Sequence, residues 1–202
     1  MNPIRPYHRY VFDQEQRIFV GEFEEMYRAE TDEGFDSWSQ DDLRSIDKQI
    51  AMMLIDHYNF DRILDIGCGK GTFTHLLKKT NNYVLGIDIS TTAIEKARAK
   101  YADVDFQTKD IRASGLPEGA FDLVVAMEVF SYLDCWRTIL GQISGSTSYL
   151  FLSLYLPPGD PIGFVKTFDE LKDEIQSHFT IETELLKDSD HLYILAASKL
   201  RR

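Results

Sequence analysis

Three glycines at alternate positions, Gly67, Gly69 and Gly71, follow a short apolar run from Arg62 that ends in Asp65 and precede a helical pattern from Thr72 to Lys79. A strand, a tight turn and a helix in that order let the main chain approach a ligand where a Cβ would clash, and aim helix N-terminal amides at it. The chemistry on offer is the holding of a nucleotide-like cofactor. Cys68 lies inside the turn, where a small residue is wanted. About 20 residues further on, Asp88 closes a second apolar run that begins at Tyr83, and an acid so placed accepts from both hydroxyls of a ribose.

The elements that must position these residues recur along the chain. Ser90 caps a helix over Thr91 to Tyr101, with Ala93, Ile94, Ala97 and Tyr101 on one side. A third strand from Val104 ends in Asp110. A fourth, Phe121 to Glu128, is continuously apolar in its core, as a strand covered on both faces should be. A helix from Asp134 to Ile143 leads to a fifth strand, Tyr149 to Tyr155, and Thr167 with Glu170 makes a capping box ahead of Leu171, Ile175 and Phe179. Phe179 to Leu186 and Leu192 to Ser198 are joined by too short a link for a crossover helix, so they pair as an antiparallel hairpin. The pattern predicts an α/β fold: a doubly wound, Rossmann-like, seven-stranded sheet, mostly parallel, with a C-terminal antiparallel β-hairpin.

Residues 1–60 read as an N-terminal helical lid, integral to a single domain whose core occupies residues 61–202. Asp13 is expected to cap a first helix bearing Ile18, Val20, Phe23, Met26 and Tyr27, and Ser39 a second bearing Leu43, Ile46, Ile50, Met53 and Leu54. Between them, Phe35 and Trp38 either anchor a loop on the core or cover the cofactor. With 202 residues, 44% apolar and 27% charged, the composition is that of an ordinary globule. A formal charge of −11 speaks against a surface that tracks nucleic-acid phosphates. No apolar run reaches the roughly 20 residues of a membrane span. Met1 to Tyr10 lacks the apolar centre of a signal peptide, so a cytoplasmic location without a membrane partner is expected. Cys68 and Cys135 make neither a disulfide framework nor a zinc knuckle, and no metal site is expected.

From Asp61 onward the chain resembles a class I S-adenosylmethionine-dependent methyltransferase. The resemblance is carried, in the family's order, by Leu64-Asp-Ile-Gly-Cys-Gly-Lys-Gly71, Gly86-Ile-Asp88-Ile-Ser90, Asp110-Ile111, Phe121-Asp-Leu-Val124 and Met127-Glu-Val-Phe-Ser-Tyr-Leu133. It implies S-adenosylmethionine as cofactor and S-adenosylhomocysteine as product. It implies that Gly67, Cys68, Gly69 and Gly71 lie along the methionine part, with Asp65 near its amino group. Asp88 would accept from the ribose and Ile89 would pack on the adenine, whose amine Asp110 would receive while the Ile111 N–H reaches a ring nitrogen. Met127 and Glu128 would sit beneath the reacting centre. Glu25-Met-Tyr-Arg-Ala-Glu30 with Phe35-Asp-Ser-Trp38 is similar to the nodulation-protein-S-like N-methyltransferases, in which an arginine shortly after the tryptophan helps hold the cofactor carboxylate. Arg44, offset from that spacing as is Lys48, is the counterpart here, and Trp38 joins the cofactor site.

A nicotinamide-dependent oxidoreductase is the nearest competitor by fold, but Thr72 stands where its fingerprint wants a third glycine and the terminal hairpin fits it badly. A regulatory module that binds S-adenosylmethionine without catalysis is the other alternative. The sulfonium cofactor brings an activated methyl, so the protein must align a nucleophile, exclude water and, for a hydroxyl, provide a proton acceptor. Glu128 and Tyr132 are the candidates, with Tyr27 and Tyr155 lining the acceptor pocket. Tyr132 reads equally as packing, and His191, also near the expected mouth, reads more readily as a turn residue. The exit of the fourth strand, Ala126-Met-Glu-Val129, lacks the Asn/Asp-Pro-Pro-Tyr of enzymes that methylate nucleobase or glutamine nitrogens. A small-molecule acceptor is expected, with the methyl going to an amine or hydroxyl of a sugar or other metabolite.

Overall fold

A computed structural model describes residues 5–199; residues 1–4 of the expected lid and 200–202 of the expected core lie outside the described residues. The chain begins with α1 (His8–Val11), the small hairpin β1 (Phe12–Asp13) and β2 (Ile18–Phe19), α2 (Phe23–Glu33), a 3₁₀ turn at Ser37–Ser39 and α3 (Ile46–Ile55). Then come β3 (Arg62–Ile66), α4 (Thr72–Leu76), β4 (Tyr83–Asp88), α5 (Thr91–Lys100), β5 (Asp105–Thr108), α6 (Ile111–Ser114) and β6 (Phe121–Met127). A 3₁₀ turn at Phe130–Tyr132 precedes α7 (Trp136–Ser146), β7 (Thr147–Tyr155), α8 (Phe168–His178), β8 (Phe179–Lys187) and β9 (His191–Ser198).

Seven strands form one sheet in the order β5-β4-β3-β6-β7-β9-β8. Neighbours from β5 to β7 run parallel, whereas β9 is antiparallel to both β7 and β8. Successive side chains of a strand face opposite ways, and here both faces are covered. Val124 and Ala126 of β6 join Trp136, Leu140, Ile143, Leu171 and Ile175 of α7 and α8. Leu123 and Val125 join Ala51, Ile55, Phe73, Ile94 and Ala97 of α3, α4 and α5. The strand order reverses beside β3, so the carboxyl ends of β3, β4 and β6 border the crevice where such folds hold ligands. The expected capping box is present, Thr167 Oγ1 accepting from Glu170 N at 3.1 Å.

The N-terminal segment departs from expectation in two places. Asp13 caps no long helix: its Oδ1 accepts from the amides of Glu15 and Gln16 at 2.9 and 2.8 Å, which closes the turn of the small hairpin, and α2 starts only at Phe23. Ile18 and Val20 are accordingly exposed. Ser39 does not start the second helix either, because Asp36 accepts from Gln40 N and Asp41 N while Trp38 and Ser39 take left-handed φ of 59° and 51°. The helix begins at Ile46, and its buried face is Lys48, Ala51 and Ile55. Leu43, Ile46 and Met53 of the expected apolar stripe face outward. Short polar side chains that satisfy nearby amides compete with helix formation, and they prevail at both sites.

Candidate active site

The site starts at the end of β3. Gly67, Gly69 and Gly71 all adopt left-handed φ, of 71°, 53° and 77°. A Cβ on Gly67 would lie 2.5 Å from Val129 Cγ2, and one on Gly69 would lie 2.6 Å from the Tyr27 hydroxyl. Both the backbone angle and the space therefore require glycine. The amides of Gly67 and Cys68 donate to Ile87 O, which ties the turn to β4.

Asp88, at the end of β4, is buried and accepts from Gly69 N and Ser90 N, each at 2.9 Å. Burial pushes its carboxyl up to about 6 against the pull of those amides. Asp65 lies behind the turn, buried, accepting from Thr74 Oγ1 at 2.7 Å; burial, helped by the charge of Asp88, pushes it up to about 7. Burial likewise raises the Cys68 thiol well above its ordinary value. Ile89 is exposed beside Asp88, bordering a cavity of about 450 Å³ that Glu24, Arg28, Thr91, Thr92 and Glu95 complete. At the next strand end Asp110 caps α6 and pairs with Arg112 at 3.0 Å, which holds its carboxyl below the usual range, while Ile111 is buried.

The N-terminal segment lies across the glycine turn. Tyr27 is buried, and its hydroxyl accepts from Gln40 Nε2 at 2.7 Å; Gln40 Oε1 in turn accepts from Lys70 N at 2.7 Å. Burial raises the Tyr27 phenol well above its ordinary value. Lys70, the residue between Gly69 and Gly71, meets Asp36 at 2.8 Å, Asp41 at 2.9 Å and Glu30 at 3.3 Å. Burial lowers its ammonium, but the hydrogen bonds it donates to Asp36 and Asp41, with the nearby acidic charges, outweigh that and raise it. Lys96 and Lys100 of α5 add ion pairs to Glu30 and Asp41. Arg44 is exposed, whereas Lys48 is buried and donates to Ser39 O and Asp42 O. Trp38 turns inward on Tyr7 and Tyr132, with ring centroids 4.8 and 5.7 Å away.

On the other side of the turn the register of β6 on β3, Ala126 beside Ile66, sets Met127 and Glu128 next to Gly67. Glu128 has a left-handed φ of 59°, a conformation uncommon for a residue with a Cβ. Its Oε1 accepts from Ser153 Oγ and meets His191 Nε2, both at 2.7 Å, and its Oε2 accepts from Tyr155 N at 2.6 Å. His191 is thus no turn residue: it opens β9 opposite Tyr155 and is buried. Tyr132 packs among Phe12, Phe19, Phe23 and Trp38, and burial raises its phenol. The Tyr27 hydroxyl lies beside the turn on Gln40, and the main chain of Tyr155 meets Glu128. Sequence reasoning missed Gln40, Lys70 and Asp47, and favoured a turn role for His191; the lysine inside the glycine turn, set against an acidic N-terminal segment, was the available signal for one of them.

These donors fit an adenosyl amino acid. Asp88 retains lone pairs for hydroxyls, Ile89 offers an apolar contact, and beside the turn, whose own amides are taken within the protein, the Tyr27 hydroxyl and the Gln40 amide carry polar hydrogens suited to a carboxylate. Residues 63–146 match a family model described as a methyltransferase domain. An uncharacterized methyltransferase of Mycobacterium tuberculosis is 29% identical over 85 residues, 41% of this chain and 43% of that protein. The 27-O-demethylrifamycin SV methyltransferase of Amycolatopsis mediterranei is 39% identical over 87 residues, 39% of this chain and 32% of the relative. The chain thus spans less than half the length of the curated relatives it matches. The crystal structure of the N-methyltransferase NodS from Bradyrhizobium japonicum with S-adenosylhomocysteine superposes with a TM-score of 0.62 at 17% identity, covering 78% of this chain and 90% of that one. Magnesium protoporphyrin IX methyltransferase from Synechocystis with bound S-adenosylmethionine gives 0.66 at 18% identity over 98% and 100%. The two structures establish the shared fold. The strand order and glycine turn are thus those of the fold of these methyltransferase structures, and the methyltransferase domain match spans the turn and the strand ends around it.

Proposed function

We propose that the protein transfers a methyl group from S-adenosylmethionine to an amine or hydroxyl of a small molecule, a sugar or another metabolite. The observation that carries this reading is the row of groups along one sheet edge: Asp88, the glycine turn, and Glu128 facing them from β6. The bound sulfonium supplies an electrophilic methyl; the chain's own residues bind, orient and keep water out. In this reading Asp88 receives the ribose hydroxyls, Ile89 and Asp110 with Ile111 hold the adenine, and Gly67 to Gly71 with Asp65 and Met127 border the methionine part. Trp38, Arg44 and the segment around Tyr27 form the lid, and Lys48 is the inward-facing cation of that segment. Glu128 and Tyr132 border the reacting centre, with Tyr155 on the acceptor side. A relative named for a small-molecule acceptor, 27-O-demethylrifamycin SV, supports the substrate class. So does the charge of −11, which suits a surface that does not track nucleic acid.

Calorimetry with S-adenosylhomocysteine tests the cofactor half. Micromolar binding that disappears in Asp88→Ala is expected; no heat at saturating ligand sinks the reading.

A further inference from the structure

The acceptor side of the site holds an arrangement that neither the fold nor cofactor binding requires. Glu128 is held in a left-handed backbone conformation, and its carboxylate is gripped by Ser153 Oγ, Tyr155 N and His191 Nε2. Backbone strain of this kind persists where the surroundings over-determine it, and it gathers at functional sites. Behind His191 stands a second carboxylate: Asp47 of α3 lies 3.8 Å from Nδ1, itself bound by Lys187 and by the Tyr193 hydroxyl. The imidazole is stacked on the Tyr193 ring at 4.8 Å and 10°, with Tyr155 at 5.9 Å. The groups facing His191 are therefore Glu128 after β6, Tyr155 of β7, Asp47 of α3, Lys187 of β8 and Tyr193 of β9, with Asp188 and Asp190 in the turn before it.

We propose that His191 is a positioning residue for methyl transfer, fixing the Glu128 carboxylate toward the acceptor and sharing with it the one proton that the acceptor loses. This rests on the methyltransferase reading above and names the group that makes it possible to methylate an acceptor bearing N–H or O–H. The acceptor's nitrogen or oxygen forms the bond to the methyl carbon. The S–CH₃ bond breaks with its electron pair going to sulfur, which becomes a neutral thioether. The acceptor's proton passes to a Glu128 oxygen, and the Glu128–His191 pair keeps it until it exchanges with solvent. The side chain of Glu128 is 35% exposed while that of His191 is 11%, so Glu128 is the member that meets an acceptor and His191 the one that works from behind. Burial pulls the imidazole down, but the Glu128 hydrogen bond and the charges of Glu128 and Asp47 outweigh it and leave His191 above its ordinary value. While His191 is neutral the pair has room for one more proton; once it is protonated the pair is full.

The test uses the full chain, NMR of the His191 ring, and a panel of aryl amines, amino sugars and phenols assayed by S-adenosylhomocysteine release. His191 is expected to titrate above 6.5 and to move down in Glu128→Gln and in Asp47→Asn. The low-pH limb of kcat should follow that titration. In His191→Gln, whose amide still donates to Glu128, the limb should vanish while kcat falls about tenfold; Glu128→Gln should fall roughly 100-fold or more, both with S-adenosylhomocysteine affinity unchanged. A limb that persists in His191→Gln, or a His191 titration unmoved by Glu128→Gln, overturns the proposal. Wild-type protein that binds S-adenosylhomocysteine but methylates nothing in the panel overturns the acceptor reading itself, and the pair's role with it.

Discussion

Asp88 combines a buried carboxyl raised to about 6 with a position where, in the function proposed, ribose hydroxyls would need an ionised acceptor. Its ordinary value is near 4, so the folded protein disfavours the charged form. The stability that this group lends is present below its unfolded value and is lost as pH rises toward 6. Asp88→Asn removes the titration but keeps only one of the two acceptors used by Gly69 N and Ser90 N, so in urea unfolding it should flatten the dependence of ligand-free stability on pH between 4 and 7 rather than stabilise at every pH. Cofactor binding has the opposite dependence. S-adenosylhomocysteine affinity, followed by calorimetry from pH 7.5 down to 5, should weaken below about 6, approaching tenfold per unit. Gly67→Ala meets two obstacles, a φ of 71° and Val129 at 2.5 Å, and should cost about 2 kcal/mol in urea unfolding as well as abolishing binding.

At the scale of elements, the N-terminal segment is joined to the core by charge as much as by apolar contact. Lys70 is buried among Glu30, Asp36 and Asp41, and Glu30 is buried with it. Truncating the lysine leaves that carboxylate with Lys96 as its remaining cation and the Ser37 amide as a donor. Lys70→Ala should destabilise by about 3 kcal/mol and make the segment before Asp61 more accessible to protease, whereas Lys100→Ala, whose ion pair is exposed, should cost under about 1 kcal/mol. α8 offers a control far from the glycine turn: Thr167→Ala removes a capping box and should cost about 1 kcal/mol without changing S-adenosylhomocysteine affinity.

For the whole molecule, the strands proposed to carry the cofactor groups, β4, β3 and β6, lie within the sheet, covered by helices on both faces. A ligand across their ends binds only the folded state. At about 100 times its Kd it should add roughly 2.7 kcal/mol, which for a chain of this size is a rise of about 5 to 10 °C in Tm. A scan with S-adenosylhomocysteine against one with NADH separates this cofactor from a dinucleotide.

Much of this was legible in the residues themselves. Buried strands announce themselves by continuous apolar runs, and β3, β4 and β6 lie, within a residue, where the runs ending at Asp65, Asp88 and Glu128 put them. Alternate glycines mark a turn because left-handed φ is a property of one residue, and the observed angles agree. The N-terminal segment was misread because Asp13 and Asp36 satisfy their own neighbours' amides, a local competition that apolar spacing does not reveal. Pairings across the sheet were out of reach altogether. Glu128 and His191 are 63 residues apart, and nothing in either neighbourhood names the other. They meet because β7 pairs with β6 in one register and with β9 in another, bringing Tyr155 opposite His191. Local propensity determined the strands, the turn and the cofactor end of the site; strand pairing, set by the burial of two faces at once, decided what stands at the acceptor end.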